Sequence, residues 1–164
     1  MKMLLIVRHG KSDWSATVDD SERPLAKRGR KAARAMGEFL TRAGQVPDAV
    51  VTSAARRAAD TAALVAAAGR WQCPVRTSEL IYGADAFGVL DAARAEPDAC
   101  ERLMIVGHEP ASSEAVARLV GGGRHAMPTA AVAGIELDVD RWTDIGPTCG
   151  RLCFLIVPRL LTSA

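Results

Sequence analysis

The chain is poor in several features that would each have pointed to a function. Aromatic residues make up 4% of its 164 residues, too few to furnish a stacking platform for single-stranded nucleic acid. Charge is not one-sided: 21 Lys and Arg against 19 Asp and Glu leave a formal +2. The cations are spread along the sequence rather than gathered in runs, so bulk attraction to nucleic acid or to an anionic membrane is not expected. The opening apolar run, Met3-Leu4-Leu5-Ile6-Val7, stops at Arg8, too short for the core of a secretory leader and far short of a membrane span. A cytoplasmic location is the expectation. The four cysteines, Cys73, Cys100, Cys149 and Cys153, form no CxxC pair and have no histidines at zinc spacing, which predicts reduced, structural thiols. There is no GxSxG setting for a nucleophilic serine, no carboxylate cluster suited to magnesium, and no internal repeat or linker, so a single domain over residues 1–164 is expected.

What the chain does contain is a series of strand ends carrying polar residues. A run that is apolar at every position suits a strand covered on both faces, as in a largely parallel α/β sheet. Met3 to Val7 is such a run and ends in Arg8-His9-Gly10; Leu103 to Val106 repeats it and ends in Gly107-His108. Between them, Ala49-Val50-Val51 ends in Thr52-Ser53, with Arg57 just beyond. Helical periodicity predicts helices over Leu25 to Ala43, Ala55 to Ala68 (capped by Ser53 or Thr52) and Phe87 to Ala95, and a further helix started by Pro110 and running to Val120. Pro74 to Thr77, Ala130 to Leu137 and Leu152 to Val157 complete the predicted strands.

In a parallel sheet these strand ends share the carboxyl edge, where ligands of open α/β folds bind. Two arginines and two histidines around one point suit a tetrahedral phosphoryl group, because the planar guanidinium fork binds phosphate oxygens bidentately. Ser12 and Ser53 read as capping or backbone-binding hydroxyls rather than nucleophiles, His125 as a loop residue, and Trp14, Trp71 and Trp142 as core or rim packing.

Leu5-Ile6-Val7-Arg8-His9-Gly10, Arg23-Pro24-Leu25 with Gly29, Thr52-Ser53 with Arg57-Ala58 and Thr61-Ala62, and Val106-Gly107-His108 resemble the histidine phosphatase superfamily in order and spacing. The short chain, the Arg-Pro-Leu element and Met127-Pro128-Thr129-Ala130-Ala131 look most like its SixA-type phosphohistidine phosphatases. The resemblance implies an α/β three-layer sandwich, phosphoglycerate mutase-like, with a mostly parallel central sheet flanked by helices. It implies that His9 is the nucleophile and that Arg8, Arg57 and His108, with Gly10 and Ser12 on the same loop, contact the substrate. Family spacing from Ser53 selects Arg57 over Arg56. No cofactor and no metal are called for.

Glu79, four residues before Gly83, resembles the acid-bearing segment of the mutase branch and is a candidate proton donor; the alternative is a solvated loop carboxylate. His108 is expected to be protonated, and Glu109 beside it to raise its pKa. The expected substrate is phosphohistidine on a protein, whose imidazole leaves readily because its pKa is about 6.5. The alternatives are a small-molecule phosphomonoester phosphatase on the same fold and a non-catalytic phospho-binding module. A mutase fits less well, since Glu79 to Gly107 leaves little room for a lid. Expected partners are a phosphorylated protein or small phosphorylated substrate, with no nucleic acid and no membrane; the sequence does not set the oligomeric state.

Overall fold

In the computed structural model, which describes residues 1–162, strands and helices alternate as far as the fifth strand, which a sixth follows with no α-helix between. The order is β1 (Lys2–Arg8), α1 (Lys27–Arg42), β2 (Ala49–Ser53), α2 (Arg56–Gly69), β3 (Val75–Ser78), α3 (Ala86–Arg94), β4 (Arg102–Gly107), α4 (Ala111–Val120), β5 (Val132–Leu137) and β6 (Gly150–Ile156). Short 3-10 turns occur at Asp20–Glu22, Trp142–Asp144 and Pro158–Leu160. The strands build one six-stranded sheet in the order β3-β2-β4-β1-β5-β6. It is parallel from β3 to β1 and antiparallel at β5 and β6.

Covering both faces explains the unbroken apolar runs. Successive side chains of a strand point to opposite faces: Leu4 and Ile6 join the core beneath α3 and α4, whereas Leu5 and Val7 join the core beneath α1 and α2. All four are essentially buried, and full burial of each such side chain contributes about 1.5–3 kcal/mol. Helix pairs α1 with α2 and α3 with α4 pack on opposite sides, giving the expected α/β sandwich. β3, at the sheet edge, is the one largely exposed strand among the described residues, and its Val75-Arg76-Thr77 lacks a continuous apolar run for that reason. No helix among the described residues is long and apolar enough to cross a membrane.

Several boundaries differ from expectation, each with a local cause. α1 starts at Lys27 rather than Leu25, because Leu25 is held in an isolated bridge with Ser12 and the Ala26 N–H donates to the Lys11 carbonyl at 2.8 Å. The cap expected from Ser53 or Thr52 on α2 is not formed: the N-cap is Ala55, without a side-chain bond. Gly69 lies inside α2, and the left-handed position falls to Arg70 at φ 58°. Pro110 precedes α4 rather than opening it. β5 begins at Val132 because Ala130 turns at φ 63°, a posture that lets its N–H donate to the carbonyls of both Arg8 and His9 at 3.0 Å. Asp85 caps α3 by accepting from the Phe87 and Gly88 N–H groups, a signal the sequence reading passed over. Trp142 is fully buried and Trp71 nearly so, while Trp14 is 72% exposed at the rim. All four cysteines are free.

One close approach ties α1 to the segment that follows β1. A Cβ built on Gly29 would lie 2.2 Å from the Lys11 carbonyl oxygen and 2.8 Å from its nitrogen, so α1 can sit against that segment only without a side chain there. Gly29→Ala is expected to lower stability by about 1–3 kcal/mol, the usual cost of overpacking, in chemical denaturation. A variant as stable as the wild type would show that the approach is not tight.

Candidate active site

The pairing of β1 with β4 sets the site. Arg8 lies opposite Gly107, so His9 and His108 leave neighbouring strands at one level of the carboxyl edge, with ring centroids 5.2 Å apart. The His9 N–H donates to the Gly107 carbonyl at 3.0 Å. Thr52 pairs with Val106, which brings Ser53 to the same level, and the first turn of α2 adds Arg57. Because β5 runs antiparallel to β1, the segment before it also reaches this edge: Arg8 Nη1 donates to the Met127 carbonyl at 3.0 Å.

His9 has its tautomer fixed locally. Nδ1 lies 2.7 Å from the carbonyl oxygen of Gly10, an acceptor only, so Nδ1 carries the proton and Nε2 keeps its lone pair. The Gly10 carbonyl is held in turn: its own N–H donates to Thr61 Oγ1 at 2.9 Å, and that hydroxyl donates to the Arg57 carbonyl at 2.6 Å. Thr61, one helical turn after Arg57 and fully buried, therefore links α2 to the loop bearing His9. It belonged to the recognised pattern but had no assigned role.

Both histidines are hard to protonate. Burial pushes His9 down from 6.5 to about 4, with His108, Arg57 and Arg8 adding to the effect against the opposing hydrogen bond that His9 donates to the Gly10 carbonyl. His108 is likewise pushed to about 4 by burial and then by Arg57 and Arg8. This corrects two expectations. In the ligand-free site His108 is neutral, and Glu109 does not raise its pKa, because the Glu109 carboxylate turns back to accept from the N–H and hydroxyl of Ser113 at 3.0 and 2.7 Å. Ser53 Oγ accepts from the Ala55 N–H at 3.2 Å and shares a 2.8 Å hydrogen bond with His108 Nε2. The hydroxyl that fails to cap α2 thus positions the second histidine.

A residue outside every strand end organises the cations. Asp20, in the 3-10 turn after β1, accepts from Arg57 through its backbone carbonyl at 2.6 Å and through Oδ2 at 3.0 Å. It also pairs with Arg23 and accepts from the Tyr82 hydroxyl at 3.1 Å. Arg23 is buried, with its guanidinium 3.5 Å from the Trp14 ring centroid, and Tyr82 meets His108 edge-on at 6.0 Å. Asp20, Arg23 and Tyr82 were not singled out as site residues. The available signal was an acidic loop next to a predicted cationic pocket.

Of the other candidates, Ser12 is buried and bridged to Leu25. Glu79 is exposed in the turn after β3 and makes none of the hydrogen bonds or ion pairs described for the site. Arg56 is exposed and faces Asp60 at 3.6 Å, whereas Arg57 is buried toward the site. Buried side-chain atoms without a protein partner include Arg8 Nε, Arg23 Nη1 and His108 Nδ1; such groups gathered at one edge of a sheet suit a polar ligand. Cationic donors around an unprotonated imidazole nitrogen can hold an anion while the nitrogen attacks it. Among the described residues no three His, Cys, Asp or Glu side chains gather so as to hold a metal ion.

Comparison with known proteins agrees with this fold. The sequence model of the histidine phosphatase superfamily (branch 1) matches residues 4–86. An uncharacterised protein of Mycobacterium tuberculosis is 32% identical over 93% of this chain and 100% of its own length. Among solved structures, the protein histidine phosphatase SixA complexed with tungstate shares the fold with a TM-score of 0.82 at 24% identity, covering 98% of this chain and 99% of that one. A mycobacterial glucosyl-3-phosphoglycerate phosphatase does so with a TM-score of 0.67 at 19% identity, covering 93% and 97%.

Because the folded-state pKa values of about 4 lie below the ordinary 6.5, the unfolded chain binds more protons between these limits. The contribution of the two histidines to stability is complete above pH 6.5 and is lost as pH falls toward 4. An anion beside the rings favours the imidazolium form. NMR titration should find the His9 and His108 midpoints near 4 without anion and higher with inorganic phosphate; midpoints near 6.5 in the anion-free protein would contradict the burial argument.

Proposed function

Because the chain belongs to the histidine phosphatase superfamily, we propose that it is a metal-independent phosphatase that works through phosphorylated His9 and dephosphorylates phosphohistidine on a protein. The observation that carries the proposal is the proton placement on His9: Nδ1 is committed to the Gly10 carbonyl at 2.7 Å, which leaves Nε2 as the attacking atom. Nε2 forms a bond to phosphorus as the bond from phosphorus to the leaving group breaks; a substrate imidazole already protonated on its other nitrogen departs neutral, and any other leaving group takes a proton from solvent. Water then attacks phosphorus in phospho-His9, the P–N bond breaks with its electrons returning to Nε2, and inorganic phosphate departs. Arg8, Arg57 and His108 hold the phosphoryl oxygens, and their charge is worth most as it builds up on those oxygens. His108 takes up its proton once the dianion is beside it.

The preference for phosphohistidine rests on the leaving group. An alkoxide needs a proton donor, but a protonated imidazole does not, and among the described residues the carboxylate that pairs with the site's arginines is Asp20, held by Arg57 and Arg23. The fold is shared by proteins described as a protein histidine phosphatase and as a sugar-phosphate phosphatase, so the leaving group is the property that separates the two readings. A non-catalytic phospho-binding module has no use for an oriented, unprotonated His9.

His9→Ala is expected to lower kcat by on the order of 10⁴ or more while leaving the fold and some phosphate affinity intact. Trapping with labelled substrate should place phosphate on His9 of the wild type, labile to acid and stable to base. Appreciable turnover by the folded variant would exclude the covalent route.

Glu79→Gln should change kcat/KM less than about two-fold for both an alkyl and an aryl phosphate. General acid catalysis contributes about 10²–10⁴, so a loss of that size confined to the alkyl substrate would identify Glu79 as the proton donor.

A further inference from the structure

The cations look dispersed along the sequence, yet folding gathers a third of them on one side of the site. A groove of about 1060 Å³ begins at Arg8 and is lined by Lys11, Arg28 and Arg159, with Met127 and Pro128 along its wall. Arg28 also lines a second depression along α1, with Lys27, Arg30, Lys31 and Arg34. Apart from Lys11, which is half-buried, these lysines and arginines are exposed. None of the seven takes part in an ion pair among the described residues, whereas Arg23, Arg56, Arg57, Arg76, Arg94 and Arg151 all do.

This arrangement works against the local structure. Lys27 and Lys31, and Arg30 and Arg34, are like-charge pairs at i and i+4, which destabilise a helix. The first turn of α1 has no acidic residue and its N-cap makes no side-chain bond, although the helix dipole favours negative charge there. Nearby carboxylates offset the cluster only slightly: Glu109 lines the groove but is bonded to Ser113, and Asp13, close enough to feel Arg30, accepts from the N–H and hydroxyl of Ser15.

We propose that this groove and the exposed face of α1 form a docking surface for an acidic segment of the protein whose phosphohistidine is dephosphorylated. The proposal rests on the phosphatase reading above and extends it to the partner. The surface is too long for a small phosphorylated metabolite, since Lys27 to Arg34 alone spans about 10 Å of helix at 1.5 Å per residue, and the groove continues from there to Arg8. Its charge calls for an extended anionic chain. A protein segment fits better than nucleic acid, because the face named here carries no aromatic side chain on which bases could stack.

The test uses three peptides, each with one phosphohistidine, flanked by Asp and Glu, by Ser and Gly, or by Lys, with an aryl phosphate as the substrate that has no flank. Acidic flanks should lower KM about ten-fold relative to neutral ones with little change in kcat, and the advantage should fade between about 50 and 500 mM salt as screening increases. The double variant Lys31→Glu, Arg34→Glu should lose the advantage while hydrolysing the aryl phosphate normally. Equal KM for acidic and neutral flanks overturns the inference, as does an advantage that survives in the double variant. So does a single-stranded oligonucleotide that competes as well as the unphosphorylated acidic peptide. Fluorescence anisotropy of that unphosphorylated peptide separates the two levels. Salt-sensitive binding to the wild type but not to the double variant, with no turnover of any phosphohistidine peptide, supports the surface and overturns phosphohistidine as the substrate; loss of aryl phosphate hydrolysis as well overturns the phosphatase assignment.

Discussion

The register of β1 against β4 is the constraint on which the site depends. Arg8 opposite Gly107 places His9 and His108 one residue beyond the last paired positions of adjacent parallel strands. Their spacing is therefore a property of the sheet rather than of two loops. A slip of one residue would displace one imidazole by about 3.3 Å and turn every apolar side chain of β1 to the wrong face. The same packing that buries Leu4 and Ile6 on one side and Leu5 and Val7 on the other thus holds the geometry of the candidate site, and Thr61 and Ala130 fasten the loop at its free end through bonds to Gly10, Arg8 and His9.

This also explains what could be read from the sequence. Central strands buried on both faces write an unbroken apolar run, and a histidine at the end of such a run is conspicuous. β1, β4 and the positions of His9 and His108 were legible for that reason, whereas Arg57 came from the family spacing that follows Ser53. Features that depend on contacts distant in sequence were not. Nothing in Asp19-Asp20-Ser21-Glu22 says that Asp20 will meet Arg57, 37 residues away. Glu109 misled because its neighbour in sequence is His108 while its partner in space is Ser113. The expected cap from Ser53 failed because α2 starts two residues later, with Ala55 at its N-cap, so the Ser53 hydroxyl reaches only the Ala55 N–H and His108. The basic face of α1 was overlooked because charges three and four residues apart look scattered in a line of text but are neighbours on a helix.

The electrostatics of the site are arranged around a conflict. A nucleophilic imidazole must be unprotonated, yet the ligand it attacks is best held by positive charge. Burial and the surrounding guanidinium groups resolve this by disfavouring a further proton on either histidine. In the proposed reaction the arginines act twice, once on the anion and once on the nitrogen that attacks it, and the incoming negative charge itself supplies the condition under which His108 becomes a donor.

Asp20 gives this pocket a property that the cations alone would not. Its carboxylate is already paired with Arg57 and Arg23, so a visiting anion that uses these groups is measured against a resident rival rather than against water. A singly charged ion offers little more than the carboxylate does and gains little by exchange. A dianion with three oxygens spread in space offers more charge and more acceptors at once. The turn at Asp20–Glu22 therefore places a built-in competitor beside the two arginines, against which the charge and shape of any visiting anion must count.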